Sequence, residues 1–224
     1  MSIPSRHQIA TAILLLGAVI AFTPAAHAER TKTRKGSYSD DKGHSGTVEE
    51  TTTRDDGTMT KDATWTNQDG KTGTVKARRT WDKSTGKGTV SRETTGPNGR
   101  KATTTGTLTK NADGSVSTDA TRTGFNGKTE TISTTTTKTE TGHETTGTIT
   151  GENGKQGTIE STSTKTADGY TRDAKITGPN GKTTERVIAV KKNADGSYTR
   201  TVETTAPDGT KSTRTENYAT ETTK

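Results

Sequence analysis

The strand-and-turn pattern of the chain is clearest in one stretch, ENGKQGTIESTSTKTADG at residues 152–169. It contains Asn153-Gly154 near its start and ends on Asp168-Gly169, two dipeptides that accept the positive φ angles of tight hairpin turns. Between them, Thr158 to Thr164 is rich in Thr and Ile and follows the period-two pattern of a β-strand. The stretch therefore predicts one strand held between two hairpin turns.

Turn-forming glycines recur along the chain in two interleaved series. In the first series the glycines follow one another at steps of 27 to 29 residues: Gly43, Gly70, Gly99, Gly127, Gly154, Gly181 and Gly209. The second series lies near the midpoints of those steps: Gly57, Gly86, Gly114, Gly142, Gly169 and Gly196. Since about ten residues separate successive turns, the pattern predicts an all-β chain of roughly 12 to 14 short strands.

Two architectures fit this repeat, an antiparallel meander and a β-solenoid with two strands per coil. Residues that face each other in a hairpin lie at equal distances in sequence from the turn centre. Apolar residues placed symmetrically about the turns therefore distinguish the meander from the solenoid. Such mirror pairs are Val48 with Trp65, Trp65 with Val75, Val90 with Leu108, and Ile149 with Ile159. Ile159 and Ile176 miss the Asp168-Gly169 centre by one position, which predicts a diagonal pair. The symmetry favours the meander, as an open twisted sheet or a barrel-like tube, over the solenoid.

The composition restricts what kind of core the chain can form. Only 22% of the residues are hydrophobic and 4% aromatic, a range in which chains often remain disordered. The regular pattern argues for order, with single large apolar residues such as Val90, Ile132 and Ile149 placed one to a strand. We therefore expect a narrow apolar stripe across the sheet, flanked by threonine and charged side chains.

The first residues have the features of an export signal. Arg6 and His7 precede an apolar run from Ile9 to Phe22, and Ala26-His27-Ala28 has the small-x-small form of a cleavage site. We expect a signal peptide at 1–28, Sec-type export, and a periplasmic or extracellular protein. The remaining chain divides into an N-terminal lead-in at 29–42, a β-hairpin repeat domain at 43–218 and a C-terminal tail at 219–224.

Residues suited to catalysis or metal binding are scarce. After signal cleavage only His44 and His143 remain, in predicted loops about a hundred residues apart, and the chain has no cysteine. The acidic residues are spread evenly, and no pair is set apart by an apolar surround that would shift a pKa. The sequence therefore predicts no catalytic, cofactor-binding or metal-binding residue, no cofactor, and a protein that is not an enzyme.

The charge balance gives one indication of a partner. The chain has 33 Lys and Arg against 26 Asp and Glu, an excess that favours anionic cell-envelope polymers. These charges alternate without a dense basic block, and no specific nucleic-acid motif is present. The strands lack the apolar band of a lipid-facing surface, so we expect no transmembrane insertion.

These features predict an exported, non-enzymatic, repetitive β-protein with a structural, scaffold or cell-envelope polymer-binding role. The alternative is a self-assembling extracellular matrix or fibre component, because an open meander has two free edges that can pair with other copies. The sequence does not identify the partner itself.

Overall fold

The computed structural model describes residues 30–223, which form fourteen β-strands and no helix. The strands are β1 Arg30–Asp40, β2 Ser45–Asp55, β3 Thr58–Asn67, β4 Thr72–Asp82, β5 Lys87–Thr95, β6 Lys101–Lys110, β7 Val116–Thr123, β8 Thr129–Lys138, β9 Gly142–Gly151, β10 Gln156–Thr166, β11 Gly169–Thr177, β12 Thr183–Lys192, β13 Tyr198–Thr205 and β14 Lys211–Thr223.

Each strand pairs antiparallel with its neighbours in sequence, and β1 pairs with β14 to close a barrel. Gly36 of β1 lies opposite Val48 on one side and Tyr218 on the other. The meander prediction is confirmed in its barrel-like form, and the antiparallel pairing shows that the solenoid alternative is wrong. β1 lies within the segment 29–42, and β14 runs into the segment 219–224, so both segments contribute to the ring. The expected signal peptide at 1–28 lies outside the described residues.

Most turns of the first glycine series are three-residue loops that end on the glycine. At Gly154, which has φ +73°, the amide donates to the Gly151 carbonyl at 2.9 Å, and the Gly151 amide donates to the Lys155 carbonyl at 2.9 Å. This is a type I turn followed by a left-handed residue, the usual three-residue hairpin with a bulge. The same pair of bonds occurs at Gly70, Gly99, Gly127, Gly181 and Gly209, and in the second series at Gly114 and Gly196.

The three-residue loops shift the register away from the mirror pairs predicted in the sequence. Their centre is the residue before the glycine, so Ile149 lies opposite Gly157 and not opposite Ile159. By the same shift Trp65 faces Gly73, and Val90 faces Gly106. The predicted pairs with Val75 and Leu108 are therefore wrong by two residues, although those residues remain on the predicted face.

Two-residue turns account for the other predicted pairs. Asp56 and Gly57, with φ of 27° and 75°, form a symmetrical turn, and Val48 lies opposite Trp65 as predicted. At another two-residue turn Thr166 pairs with Gly169 across Ala167-Asp168. The centre therefore falls between the two loop residues, and Ile159 lies directly opposite Ile176, where a diagonal pair was expected.

Alternate residues of each strand point to the barrel interior. On β8, Ile132, Thr134 and Thr136 are buried, whereas Thr131 and Ser133 between them are exposed. Ile132, Ile149 and Ile159 form a buried cluster with Ile176 packed against it. The predicted apolar stripe is thus the middle of the inner face. Barrels of about eight strands fill with side chains and those of about 16 to 18 hold a channel, so fourteen strands require long inner side chains to fill the space.

Candidate functional site

The arginines of the strands are sorted to one side of the barrel wall. Every strand arginine in residues 30–223 except Arg78 occupies the inward-facing register. The regularity is greatest on the last four strands, which carry Arg172, Arg186, Arg200 and Arg214, one per strand at intervals of 14 residues. We call these four residues the arginine belt.

The register places Arg172 and Arg214 at one level, with Arg186 two residues to one side of that level and Arg200 two residues to the other. Arg172 pairs with Ile188, two residues from Arg186, and Arg214 pairs with Val202, two residues from Arg200. With the usual rise and strand spacing of a sheet, the four Cα atoms fall within roughly 13 Å along the strands and about 14 Å across them. Since an arginine side chain is long, the four guanidinium groups share one region of the interior.

Glu216 is the single acidic residue of the inward register on these four strands. One of its oxygens lies 2.7 Å from Nη1 of Arg200, and the other lies 2.9 Å from Nε of Arg214. The hydroxyl of Tyr218 also donates a hydrogen bond to it. Burial would raise the pKa of Glu216, but Arg200 and Arg214 outweigh burial and hold it below its usual value. Glu216 is therefore a buried carboxylate that bridges two arginines.

The other half of the belt contacts hydroxyl groups. Nε of Arg172 donates to Oγ of Ser161 at 2.9 Å, and Nε of Arg186 donates to Oγ1 of Thr204 at 3.3 Å. Burial, followed by the nearby charges of Arg200 and Arg214, lowers the pKa of Arg186 to about 10. A guanidinium whose pKa is lowered by other guanidinium groups lies in a region of excess positive charge.

A second group of inward arginines lies on the opposite part of the ring. Nη1 of Arg122 on β7 is 3.1 Å from Oε2 of Glu130, and its Nε has no hydrogen-bond partner among the described residues. Nε of Arg92 on β5 donates to Oγ1 of Thr94 at 3.0 Å. Burial and the charge of Arg122 lower the pKa of Arg92 to about 10. Positive charge therefore also gathers on β5 to β7 of the interior.

Solvent reaches part of this interior. The side chains of Arg34 and Arg214 retain 37% and 39% of their exposure, although both belong to the inward register. Aromatic rings accompany them, since the Arg214 guanidinium lies 3.9 Å from the ring centre of Tyr38 and Arg34 lies 5.8 Å from that of Tyr198. Guanidinium groups held against rings and open to solvent are suited to binding carboxylate or phosphate oxygens.

The two histidines lie apart from the belt residues. His44 is in the β1–β2 turn, as predicted, with Nδ1 2.8 Å from Oδ2 of Asp40. His143 was expected in a loop but is the second residue of β9, half-buried on the inner face, because Gly142 already pairs with Thr164. Burial lowers the pKa of His143. Within residues 30–223 no group of three or more His, Asp or Glu could hold a metal ion.

Two shallow depressions lie on the outer wall. One, on β6 to β9, is lined by hydroxyls such as Thr121, Thr131 and Ser133 around Asp119. The other, on β3 to β6, has Asp62 and Glu93 beside Lys76 and Arg78. Arg92 also lines the second depression, which therefore has three basic residues against two acidic ones, and the first has no basic side chain. The barrel interior gathers more basic side chains than either depression and is the stronger candidate site.

The arginine belt was absent from the sequence-based predictions although its spacing is visible in the sequence. Alternation of basic and acidic residues suggests a solvated surface when strand faces are not assigned. The interval of 14 residues between Arg172, Arg186, Arg200 and Arg214 equals one strand and one turn, so each falls on the same face as the last. That interval is the feature that could have identified the site.

Comparison with known proteins found no family model and no curated protein that match the chain. In the described part of the chain, no helix is long and apolar enough to cross a membrane.

Proposed function

We propose that this is an exported, non-enzymatic binding protein whose barrel interior holds anionic groups of cell-envelope polymers. One observation carries the proposal: the strand arginines, Arg78 excepted, share the inward register of the ring. Export is inferred from the expected signal peptide at 1–28.

The two faces of the wall differ in charge, which supports the interior as the place of binding. Outside, β11 to β14 carry exposed Asp173, Glu185 and Glu203 against exposed Lys175, Lys191 and Lys211, an even balance among the described side chains. Inside, the four arginines of the belt face the carboxylates of Glu216 and of Asp40, which lies opposite Arg214 on β1. An anionic chain therefore meets excess positive charge once its end or a side group enters the ring.

Ring closure weighs against the self-assembling alternative. β1 and β14 are paired from Thr31 with Thr223 to Asp40 with Arg214, so neither is a free edge. Pairing of copies edge to edge would require this interface to open first. A monomeric binding protein is the simpler function for a closed ring.

The test uses the mature chain from Glu29 and two soluble oligosaccharides of equal length, an oligouronate and a neutral dextran. We expect binding of the oligouronate, with an affinity that falls as salt rises, and no binding of the dextran. The variant Arg78→Gln removes the one outward strand arginine and should bind as the unmodified protein does. Equal binding of both sugars would contradict the proposal.

Two further observations would overturn parts of the proposal. Hydrolysis of envelope glycans or peptides that disappears on substitution of one acidic residue would show an enzyme. Recovery of the full-length protein from the cytoplasm of a bacterial host, with residues 1–28 still attached, would contradict export.

A further inference from the structure

We infer that one rim of the barrel is a contact surface for a linear anionic polysaccharide, which lies along this rim while its end or a side group enters the ring. The surface consists of four basic residues at corresponding positions of four successive turns, Arg100, Lys128, Lys155 and Lys182, which we call the basic arc. The inference rests on the proposed function and deepens it, because it names the kind of polymer and places its chain at the mouth of the barrel.

The members of the basic arc share one backbone geometry. Each directly follows the left-handed glycine of its turn, and its amide donates to Oδ1 of the asparagine before that glycine at 3.1 or 3.2 Å. Its carbonyl accepts from the amide of the residue directly opposite at 2.8 or 2.9 Å. The four basic side chains therefore leave the wall from equivalent positions.

The basic arc lies at the mouth of the barrel. Each member is exposed and lies an even number of residues before a buried residue of the strand that follows it, which places it on the inward-facing register. Those buried residues are Ala102, Ile132, Ile159 and Ile188. The residue opposite each member is a glycine, in order Gly96, Gly124, Gly151 and Gly178. Since a glycine has no side chain, it neither neutralises nor covers the basic group across from it.

Few acidic groups oppose the basic arc. Within the four turns, residues 96–100, 124–128, 151–155 and 178–182, Glu152 is the single acidic residue. No member of the arc is paired with a carboxylate in the part of the chain from residue 30 to residue 223. A polyanion therefore meets an excess of positive charge and has no ion pair of the arc to displace.

The opposite rim has a different charge pattern. Each of its turns carries at least one acidic residue in or beside the loop: Asp56, Asp82, Asp113, Glu140, Asp168 and Asp195. The lysines of that rim are thus interspersed with carboxylates. An anionic chain is attracted more strongly to the rim that carries the basic arc.

The spacing of the arc suits an extended chain. Neighbouring members are two strands apart, about 10 Å at the usual strand spacing, so the four cover roughly 30 Å of the rim. Contacts between successive turns hold this spacing. A Cβ built on Gly96 would lie 3.7 Å from Cε1 of Phe125, and one on Gly151 would lie 3.4 Å from Cγ of Pro179. Between these two contacts, Oε1 of Glu152 accepts from the amide of Thr129 at 2.8 Å. The arc is therefore a row of charges on connected turns.

The surroundings of the arc favour a polymer over a lipid bilayer. Surfaces that bind anionic membranes usually combine basic residues with large apolar or aromatic side chains that enter the lipid. Phe125 is the one aromatic residue of the four turns, and its ring lies against Gly96 of the neighbouring turn. A single row of charges without such side chains is better matched by one polyanionic chain.

The first experiment is isothermal titration of the mature chain with an octasaccharide and a disaccharide of the same oligouronate. The octasaccharide can contact several members of the arc at once, so we expect it to bind more tightly by about tenfold or more. The combined variant Arg100→Gln, Lys128→Gln, Lys155→Gln and Lys182→Gln should weaken octasaccharide binding about tenfold or more and reduce its dependence on salt.

The matched control removes the same number of charges from the opposite rim. It combines Lys87→Gln, Lys110→Gln, Lys138→Gln and Lys165→Gln, four exposed residues at strand ends. This control variant should bind the octasaccharide as the unmodified protein does. An equal loss of affinity in the two combined variants would show attraction by net charge alone and would overturn the inference.

A measurement on the unmodified protein keeps the inference testable if the arc variant does not fold. Acetic anhydride acetylates accessible lysines, and peptide mass spectrometry locates the modified ones. The octasaccharide should protect Lys128, Lys155 and Lys182 and should leave the acetylation of Lys110 and Lys138 unchanged. Protection confined to the lysines of the opposite rim contradicts the assignment.

The outcomes separate this inference from the proposed function. Octasaccharide binding that the arc variant leaves unchanged, or equal affinity for the two lengths, overturns the rim assignment alone and leaves binding in the interior. Failure to bind either oligouronate overturns both. Binding of phosphatidylglycerol vesicles in place of the oligouronates also overturns both, and it assigns the basic arc to a membrane surface.

Discussion

Gly154 shows how one residue sets a turn. Its φ of +73° is a left-handed conformation, and a Cβ built on it would meet nothing within 4 Å, so only backbone strain opposes a side chain there. We expect Gly154→Ala to lower the free energy of unfolding by about 1 kcal/mol. Gly154→Asn should cost less, because asparagine tolerates this conformation. Urea unfolding of both variants measures the difference, and an equal loss for the two would contradict the strain argument.

Glu216 is the residue on which the stability of the arginine belt depends most. Its side chain is 6% exposed, and it bridges Arg200 and Arg214. Glu216→Gln leaves both arginines without their carboxylate, and we expect a loss of about 3 kcal/mol. The matched control is Glu93→Gln, whose ion pair with Lys101 is exposed and should contribute well under about 1 kcal/mol. Similar losses in the two variants would show that Glu216 is not buried among arginines.

Acid should remove the contribution of Glu216. The pKa of Glu216 is lowered in the folded protein, so its stabilisation is complete above the ordinary glutamate range and is lost as pH falls through the lowered folded value. We expect the stability difference between the unmodified protein and Glu216→Gln to be constant near neutrality and to shrink at strongly acidic pH. Thermal unfolding of both proteins across that range tests this. A difference that grows on acidification would contradict the sign.

At the scale of the element, the sequence predicts which segments are strands better than it predicts their register. Asn-Gly and Asp-Gly dipeptides mark the turns, and the spacing gives the number of strands. The register depends on whether a loop has two residues, as at Asp56-Gly57, or three, as at Gly154. Both kinds contain such a dipeptide, and the pairs that were centred on the glycine of a three-residue loop are displaced by two residues. That shift keeps each residue on its face, which is why the inner stripe was predicted and the partners were not.

The charged half of the inner face could not be predicted in the same way. Assigning Arg186 or Arg200 to the interior requires knowing which alternate residues of each strand face inward. A buried cluster of arginines also contradicts the general preference of charged residues for the surface. The apolar stripe follows that preference, whereas the arginine belt departs from it. Departures of this kind are typical of functional sites.

β1 is the element whose removal should change the state of the protein most. It pairs with β2 and β14, so a chain that begins at Asp41 has an unpaired edge on each of those strands. We expect this truncated chain to self-associate, with thioflavin-positive aggregates, whereas the mature chain sediments as a monomer. Sedimentation velocity of both proteins is the measurement. A monomeric truncated chain would show that ring closure does not protect these edges.

At the scale of the molecule, the wall separates two kinds of side chain. Its outer face is dominated by threonine, which suits exposed strands, and its inner face combines isoleucines with arginines. The apolar cluster of Ile132, Ile149 and Ile159 lies on β8 to β10, next to the strands of the arginine belt. The packed part of the ring therefore adjoins the charged part.

Closure of the ring should be a late step in folding. Hairpin pairs such as Ile159 with Ile176 close short loops, whereas Gly36 with Tyr218 joins the two ends of the barrel. We expect Tyr38→Ala, which removes the ring stacked on Arg214 of β14, to speed unfolding and to leave the folding rate nearly unchanged. Ile159→Val, within the buried cluster, should slow folding instead. Stopped-flow kinetics in urea measures both rates. A folding rate lowered more by Tyr38→Ala than by Ile159→Val would mean that the two ends of the chain meet before the hairpins are complete.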